Sequence, residues 1–350
     1  MQDASKHHRV GTTVGLLAAA SFGLSAPFSQ CLVAHCDPEL LAGLLYAGAA
    51  VVFTFGGRGR RRHEAPLRRS DLPTLTLIML FGGIAGPVLL LVGLEHVRAV
   101  SGSLLLNLEA PFTALLAVLA FREHLGTRGW VAGAAIVLGA AVLGGSGSVG
   151  ADAWGAVLIA GACAAWAIDN NLTQRLTLKD PLAIVRFKAF GASAINLLIA
   201  VAVRRVGWPA PWVLAAALAL GAVSFGVSIL LDAYALRLVG AAREAALFAT
   251  APFAGAIIAL AVLGDPITAA TLVAGGLMVA GTVGFLTDHH EHEHSHELIE
   301  HEHRHIHDEH HPHDHTPGVP PDEPHSHSHL HTPLTHSHPH ASDAHHRHDH

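Results

Sequence analysis

Ten apolar runs of roughly 18 to 24 residues follow one another through the first 287 positions, separated by short polar breaks. As α-helix, with 1.5 Å of rise per residue, that length crosses the ~30 Å hydrocarbon layer of a bilayer. One such run would fit a buried core helix. Ten in series, rich in Gly and Ala, cannot all be buried in a soluble domain of this size. The chain therefore reads as an all-α membrane protein with the lipid bilayer as its solvent. The spans are placed at Val10–Cys31, Leu40–Phe55, Leu72–Leu94, Ala99–Phe121, Arg128–Gly144, Ala153–Asn171, Leu182–Val203, Trp212–Leu236, Gly240–Leu263 and Ile267–Thr287. The first run is too long for a signal-peptide core and has no clear cleavage site, so it counts as a true span.

Orientation follows from the basic residues, which are retained on the cytoplasmic side. With the N-terminus in the cytoplasm, sixteen Lys and Arg of the body fall inside, and only Arg98, Arg204 and Arg205 fall outside. The loop Gly56–Ser70 alone holds six arginines and reads as a topology anchor against anionic lipid. Clamped between two spans, it is no nucleic-acid site. An even number of spans returns the C-terminus to the cytoplasm, and the expected location is the inner (plasma) membrane. Three cysteines occur. Cys31 and Cys36 flank the first hairpin and would pair only if that loop lies outside, and Cys163 sits alone in an apolar helix. All three read more simply as small apolar fillers.

The chain also repeats itself. Asn107–Leu125 (NLEAPFTALLAVLAFREHL) aligns with Phe248–Pro266 (FATAPFAGAIIALAVLGDP), so that Ala110-Pro111-Phe112 falls on Ala251-Pro252-Phe253. Further on, Glu123, Gly133 and Gly139 fall on Asp265, Gly275 and Gly281. Each half then holds five spans, and an odd number makes the halves run oppositely through the membrane. Inverted repeats of this kind build secondary transporters, with the substrate site near the midplane between the halves. The expected divisions are 1–9, a cytoplasmic N-terminus; 10–145 and 152–287, the two repeats; and 288–350, a tail.

Five plus five spans, a Pro-centred fourth and ninth helix, an acidic residue after each and a Gly-patterned helix next together resemble the drug/metabolite transporter superfamily, EamA type. The resemblance covers roughly residues 10–287 and is carried by Pro111 with Glu123 and by Pro252 with Asp265. It implies proton-coupled or facilitative movement of small solutes, often export of amino acids, metabolites or toxic compounds. Arg243-Glu244, at the start of the ninth helix, departs from the small or apolar residues usual there.

Candidate pathway residues come from the polar positions within the spans. Pro111 and Pro252 each remove a helical hydrogen bond, which frees a carbonyl and permits a kink. Glu109, near the centre of span four, carries a carboxylate that costs at least ~2.5 kcal/mol to insert when ionised, so it faces the bundle interior. It is a candidate for proton coupling or cation contact, or else a protonated group bonded to Asn107 or to a neighbouring helix. Nearer the cytoplasm lie Asp169, Asn170, Asp232, Arg243 and Glu244, with Arg186 and Lys188 entering span seven. These read as a vestibule closed by Asp–Arg pairing, or as a salt-bridge lattice holding helix ends together. Asn196 reads as interhelical glue.

The tail from Asp288 holds 24 of the 30 histidines and almost no apolar residues, so disorder is expected. Imidazole at this density offers interchangeable nitrogen ligands for zinc, nickel, cobalt or copper. The ligand candidates are His290, His292, His294 and His296; His301, His303, His305 and His307; His325, His327, His329 and His331; and His336, His338 and His340. No cofactor is required. Enzyme motifs are absent: His296-Glu297-Leu298-Ile299-Glu300-His301 places Glu300 where a zinc protease needs its second His. Three readings stand: a permease whose cargo or regulation involves a transition metal, a permease for an ordinary metabolite with the tail a metal buffer, and a membrane metal sensor that no longer transports. A second copy of the chain is a further candidate partner.

Overall fold

A computed structural model describes residues 2–56, 65–121, 125–145, 153–176 and 179–287, and in the tail the backbone of 291–296, 299–305, 325–331 and 334–339. Ten helices are long and apolar enough to cross a membrane. They run Arg9–Val33, Pro38–Gly56, Arg69–Leu94, Ala99–Ala120 and Thr127–Gly145, then Ala153–Gln174, Pro181–Val203, Pro211–Leu236, Arg243–Val262 and Ala269–Leu286. Every end lies within three residues of the sequence reading.

The halves interleave, and the main contacts between them come in twins. Span one packs on span eight as span three packs on span six, and span four meets span six as span nine meets span one. Spans two and seven, four and nine, and five and ten pair across the axis. Close crossings rest on glycine: a Cβ on Gly48, in span two, would stand 2.8 Å from the Ala222 nitrogen of span eight. A five-plus-five inverted repeat predicts such pairing.

The spans are not uniform helices. Span four breaks into Ala99–Leu105, a 3-10 turn Leu106–Leu108 and Glu109–Phe121. Span nine breaks after Phe248 and resumes at Ala251, with Pro252 in the first turn of the new helix. Both breaks thus fall just before the Pro of the repeated Ala-Pro-Phe. Spans three and eight each carry a π-helical stretch, Met79–Ala85 and Ala222–Val227, at corresponding places.

The stretch in span three has a visible cause. Pro87 has no N–H, so the carbonyl of Gly83 lacks its i+4 donor and that of Gly82 its i+5 donor. In a bilayer no water can fill these vacancies. Side chains do so: the Tyr46 hydroxyl (2.7 Å) and the Trp166 indole N–H (3.1 Å) donate to Gly82, and the Asn196 amide donates to Gly83 at 3.0 Å. Asn196 is interhelical glue of the expected kind.

At one end of the bundle the loops are latched. Arg204 pairs with Asp37 at 3.3 Å and with Glu39. Gln30 donates to the Val97 carbonyl. Asp265 accepts the Val100 N–H at 2.8 Å, capping the start of span four from the loop after span nine. That is the role found for one of the two acidic residues that follow the Pro helices. The other, Glu123, lies outside the described residues. All three cysteines are free. Burial, with Asp37 adjacent, pushes the Cys36 thiol up to about 11, so it stays a protonated filler.

In the tail, Glu291–His296 pairs antiparallel with Leu334–Pro339, and Ile299–His305 with His325–His331. Disorder was the expectation for this whole segment. The strict His-x-His alternation has the period of a strand, which gives these short stretches a pairing register.

Candidate functional site

A cavity of about 210 Å³ lies between the two repeats. Its walls come from spans one, two, four, six, seven, eight and nine. It sits toward the end opposite the latches: Phe53 is three residues from the end of span two, and Asp232 four from the end of span eight. The breaks in spans four and nine border it, since Glu109 opens the second segment of span four and Phe248 closes the first segment of span nine.

One wall is charged. Lys188 Nζ meets Asp169 Oδ2 at 2.7 Å, and both residues line the cavity with little solvent exposure. Lys188 lies well inside an apolar helix, where a lone ammonium would be expensive. Its neighbouring carboxylate makes the position tolerable. The approach needs a glycine: a Cβ on Gly82 would collide with the Asp169 carboxylate. Opposite, the Asn170 amide donates to Glu109 Oε1 at 2.7 Å. Asn171 ties the same two spans by donating to the Thr113 carbonyl at 3.1 Å.

Aromatic rings form the other walls. Phe22 meets Phe225 edge-on at 5.8 Å and Phe248 at 5.2 Å, while Tyr46 stacks on Phe225 at 5.8 Å. Phe53 and Trp166 complete the lining.

The structure brings Glu109, Asp169, Asn170 and Asp232 to this one cavity. Other expected pathway residues lie elsewhere. Asn107 is buried, donating to the Leu104 carbonyl at 2.8 Å and toward Met278 sulfur at 3.9 Å, so it serves the break in span four and its packing on span ten. Cys163 points its thiol at two carbonyls of the same break, those of Leu105 and Leu106. Pro111 packs near Gly133 of span five. Pro252 borders a much smaller void between spans one, four and nine.

The anticipated Asp–Arg closure takes a different form. Among the described residues Glu244 is buried beside Asp232, and Arg243 is exposed. The reason is helical geometry. Adjacent residues on a helix point about 100° apart, so burying Glu244 against span eight turns Arg243 outward. Lys188, expected beside this vestibule without a named partner, is held by Asp169. The signal for it was the rule that an intramembrane cation needs a buried partner, and Asp169 on the preceding span was the available one.

Among the described residues no group of three His, Cys, Asp or Glu is arranged to hold a metal ion. Of the fifteen candidate ligands in the tail, His290, His307 and His340 lie outside the described residues, and the others are described by backbone alone. In register, His292 stands opposite His338, His294 opposite His336, and His303 opposite His327.

Comparison with known proteins agrees with this architecture. The EamA-like transporter family matches twice, over residues 9–145 and 153–287. An uncharacterized transporter of Methanothermobacter thermautotrophicus is 28% identical over 284 residues, covering 76% of this chain and 83% of the relative. One solved crystal structure is similar in fold, with a TM-score of 0.57 at 19% identity, over 80% of this chain and 97% of its own.

Proposed function

This chain belongs to the EamA-like transporter family, and on that premise we propose that it is a secondary transporter that carries a small solute through the cavity between its repeats, with the tail supplying a cytoplasmic metal-binding segment. The observation that carries the reading is the placement of the cavity. It lies between inverted repeats, beside two broken helices, toward the end of the bundle opposite the Arg204 ion pairs. A site of that kind, reached from one side at a time, is what alternating access requires. By the basic-residue bias, the end nearer the cavity is cytoplasmic.

The test is flux. Full-length protein in proteoliposomes should catalyse saturable counterflow of at least one member of a panel of amines, amino acids, sugars and carboxylates. A folded protein that moves none of them would favour the metal-sensor reading.

The tail's role and its side of the membrane are tested together. Neutral imidazole is the ligand, with an ordinary pKa of about 6.5, so binding should be strong near neutral pH and lost below about pH 5.5 as the rings protonate. Inside-out vesicles carrying the full chain are expected to hold added zinc or nickel at neutral pH and release it on acidification. Right-side-out vesicles, and vesicles with the chain ended after Thr287, are expected to hold none. Equal binding in both orientations would overturn the topology, and binding in neither would overturn the metal role.

A further inference from the structure

We propose that the cavity recognises a small organic cation, an ammonium group with an apolar body; the inference rests on the transporter reading of the same cavity.

Six aromatic side chains from five spans line it: Phe22, Tyr46, Phe53, Trp166, Phe225 and Phe248. Ring faces attract cations and repel anions, and the attraction strengthens where water is excluded. The charged lining points the same way. Three carboxylates, Glu109, Asp169 and Asp232, face a single cation, Lys188. That cation is held by Asp169 at 2.7 Å, so among the described lining residues no free positive group is left to receive an anionic solute. Arg186, two residues earlier, is turned to the Phe53 carbonyl by two bonds of 2.9 and 2.7 Å and does not line the cavity.

Lys188 being taken by Asp169, the acidic groups Glu109 on span four and Asp232 on span eight have no cation among the described lining residues to pair with. A carboxylate solute would add a further acidic group to this lining, against the carboxyls already there. A neutral polar solute would leave both acidic groups without a cationic partner. A soft transition metal would find neither imidazole nor thiolate among the lining residues. The volume, about 210 Å³, lies below the ~300–1,000 Å³ of drug-sized sites and suits a compact solute.

Three probes of one shape separate the charge types: benzyltrimethylammonium, benzyl alcohol and phenylacetate. Calorimetric titration of the full-length protein in detergent is expected to give benzyltrimethylammonium an affinity at least about tenfold above the other two, the scale of a desolvated cation–aromatic contact plus a carboxylate. Glu109→Gln should weaken the cation about tenfold and Phe225→Leu severalfold, while phenylacetate binding should not weaken. Failure of the cation to bind, or phenylacetate binding as tightly, overturns the assignment, and neither comparison depends on a variant folding. Counterflow of the labelled probes separates this inference from the one beneath it. Movement of phenylacetate or benzyl alcohol without the cation would overturn the cation assignment and leave the transporter standing. A cation that binds tightly and never crosses would keep the site and overturn the transporter.

Discussion

Replacing Lys188 with Met is expected to destabilise the detergent-solubilised protein by about 3–5 kcal/mol, because it leaves Asp169 as a buried charge without its partner. The pair is short, at 2.7 Å, and both side chains are largely shielded from solvent, so water cannot take over the ammonium's role. Adding Asp169→Asn to the same chain should recover most of the loss, since removing both charges also removes the desolvation penalty of each. Thermal unfolding followed by gel filtration measures both variants. Arg243→Gln, at an exposed position, should shift stability by less than about 1 kcal/mol. Additive losses for Lys188→Met and Asp169→Asn would show that the two side chains are not coupled.

Glu109→Gln is expected to abolish flux driven by a pH gradient while leaving insertion and folding intact. The amide keeps the shape of the side chain and an oxygen for the Asn170 N–H, which now sits at 2.7 Å, but it cannot gain or lose a proton. Its repeat mate, Thr250, lies at the corresponding break in span nine and carries no charge, so the carboxylate is not needed to build the break. The comparison is made on proteoliposomes with equal protein content. Gradient-driven flux at the wild-type rate would reduce Glu109 to a structural hydrogen-bond acceptor.

The membrane architecture was legible in the sequence because hydrophobic length is a local property. A run such as Ala153–Gln174 declares itself without reference to any other part of the chain. The breaks at Pro111 and Pro252 were legible for the same reason, since the proline ring acts on its own helix. The site was less so. Its aromatic box draws six residues from five spans, spaced from Phe22 to Phe248, and no window of sequence contains the pattern. Asn107 and Glu109 stand two residues apart with similar polarity, yet the turn of the helix sends one to the Leu104 carbonyl and the other to the cavity. Which of Arg243 and Glu244 would be buried depended on the rotation of span nine against span eight. That rotation is a property of packing rather than of composition.

The carbonyls that Pro87 leaves open have a kinematic consequence. Their donors are Tyr46 on span two, Trp166 on span six and Asn196 on span seven. Drawing span seven away, or spans two and six together, would strand a peptide oxygen in hydrocarbon, where an unmet hydrogen bond costs several kcal/mol. Spans two, three, six and seven are thereby fastened into one rigid block that takes members from both repeats. The seams best suited to shear are those where span one meets span nine and span two meets span eight, lined by apolar rings and by glycines at the close crossings.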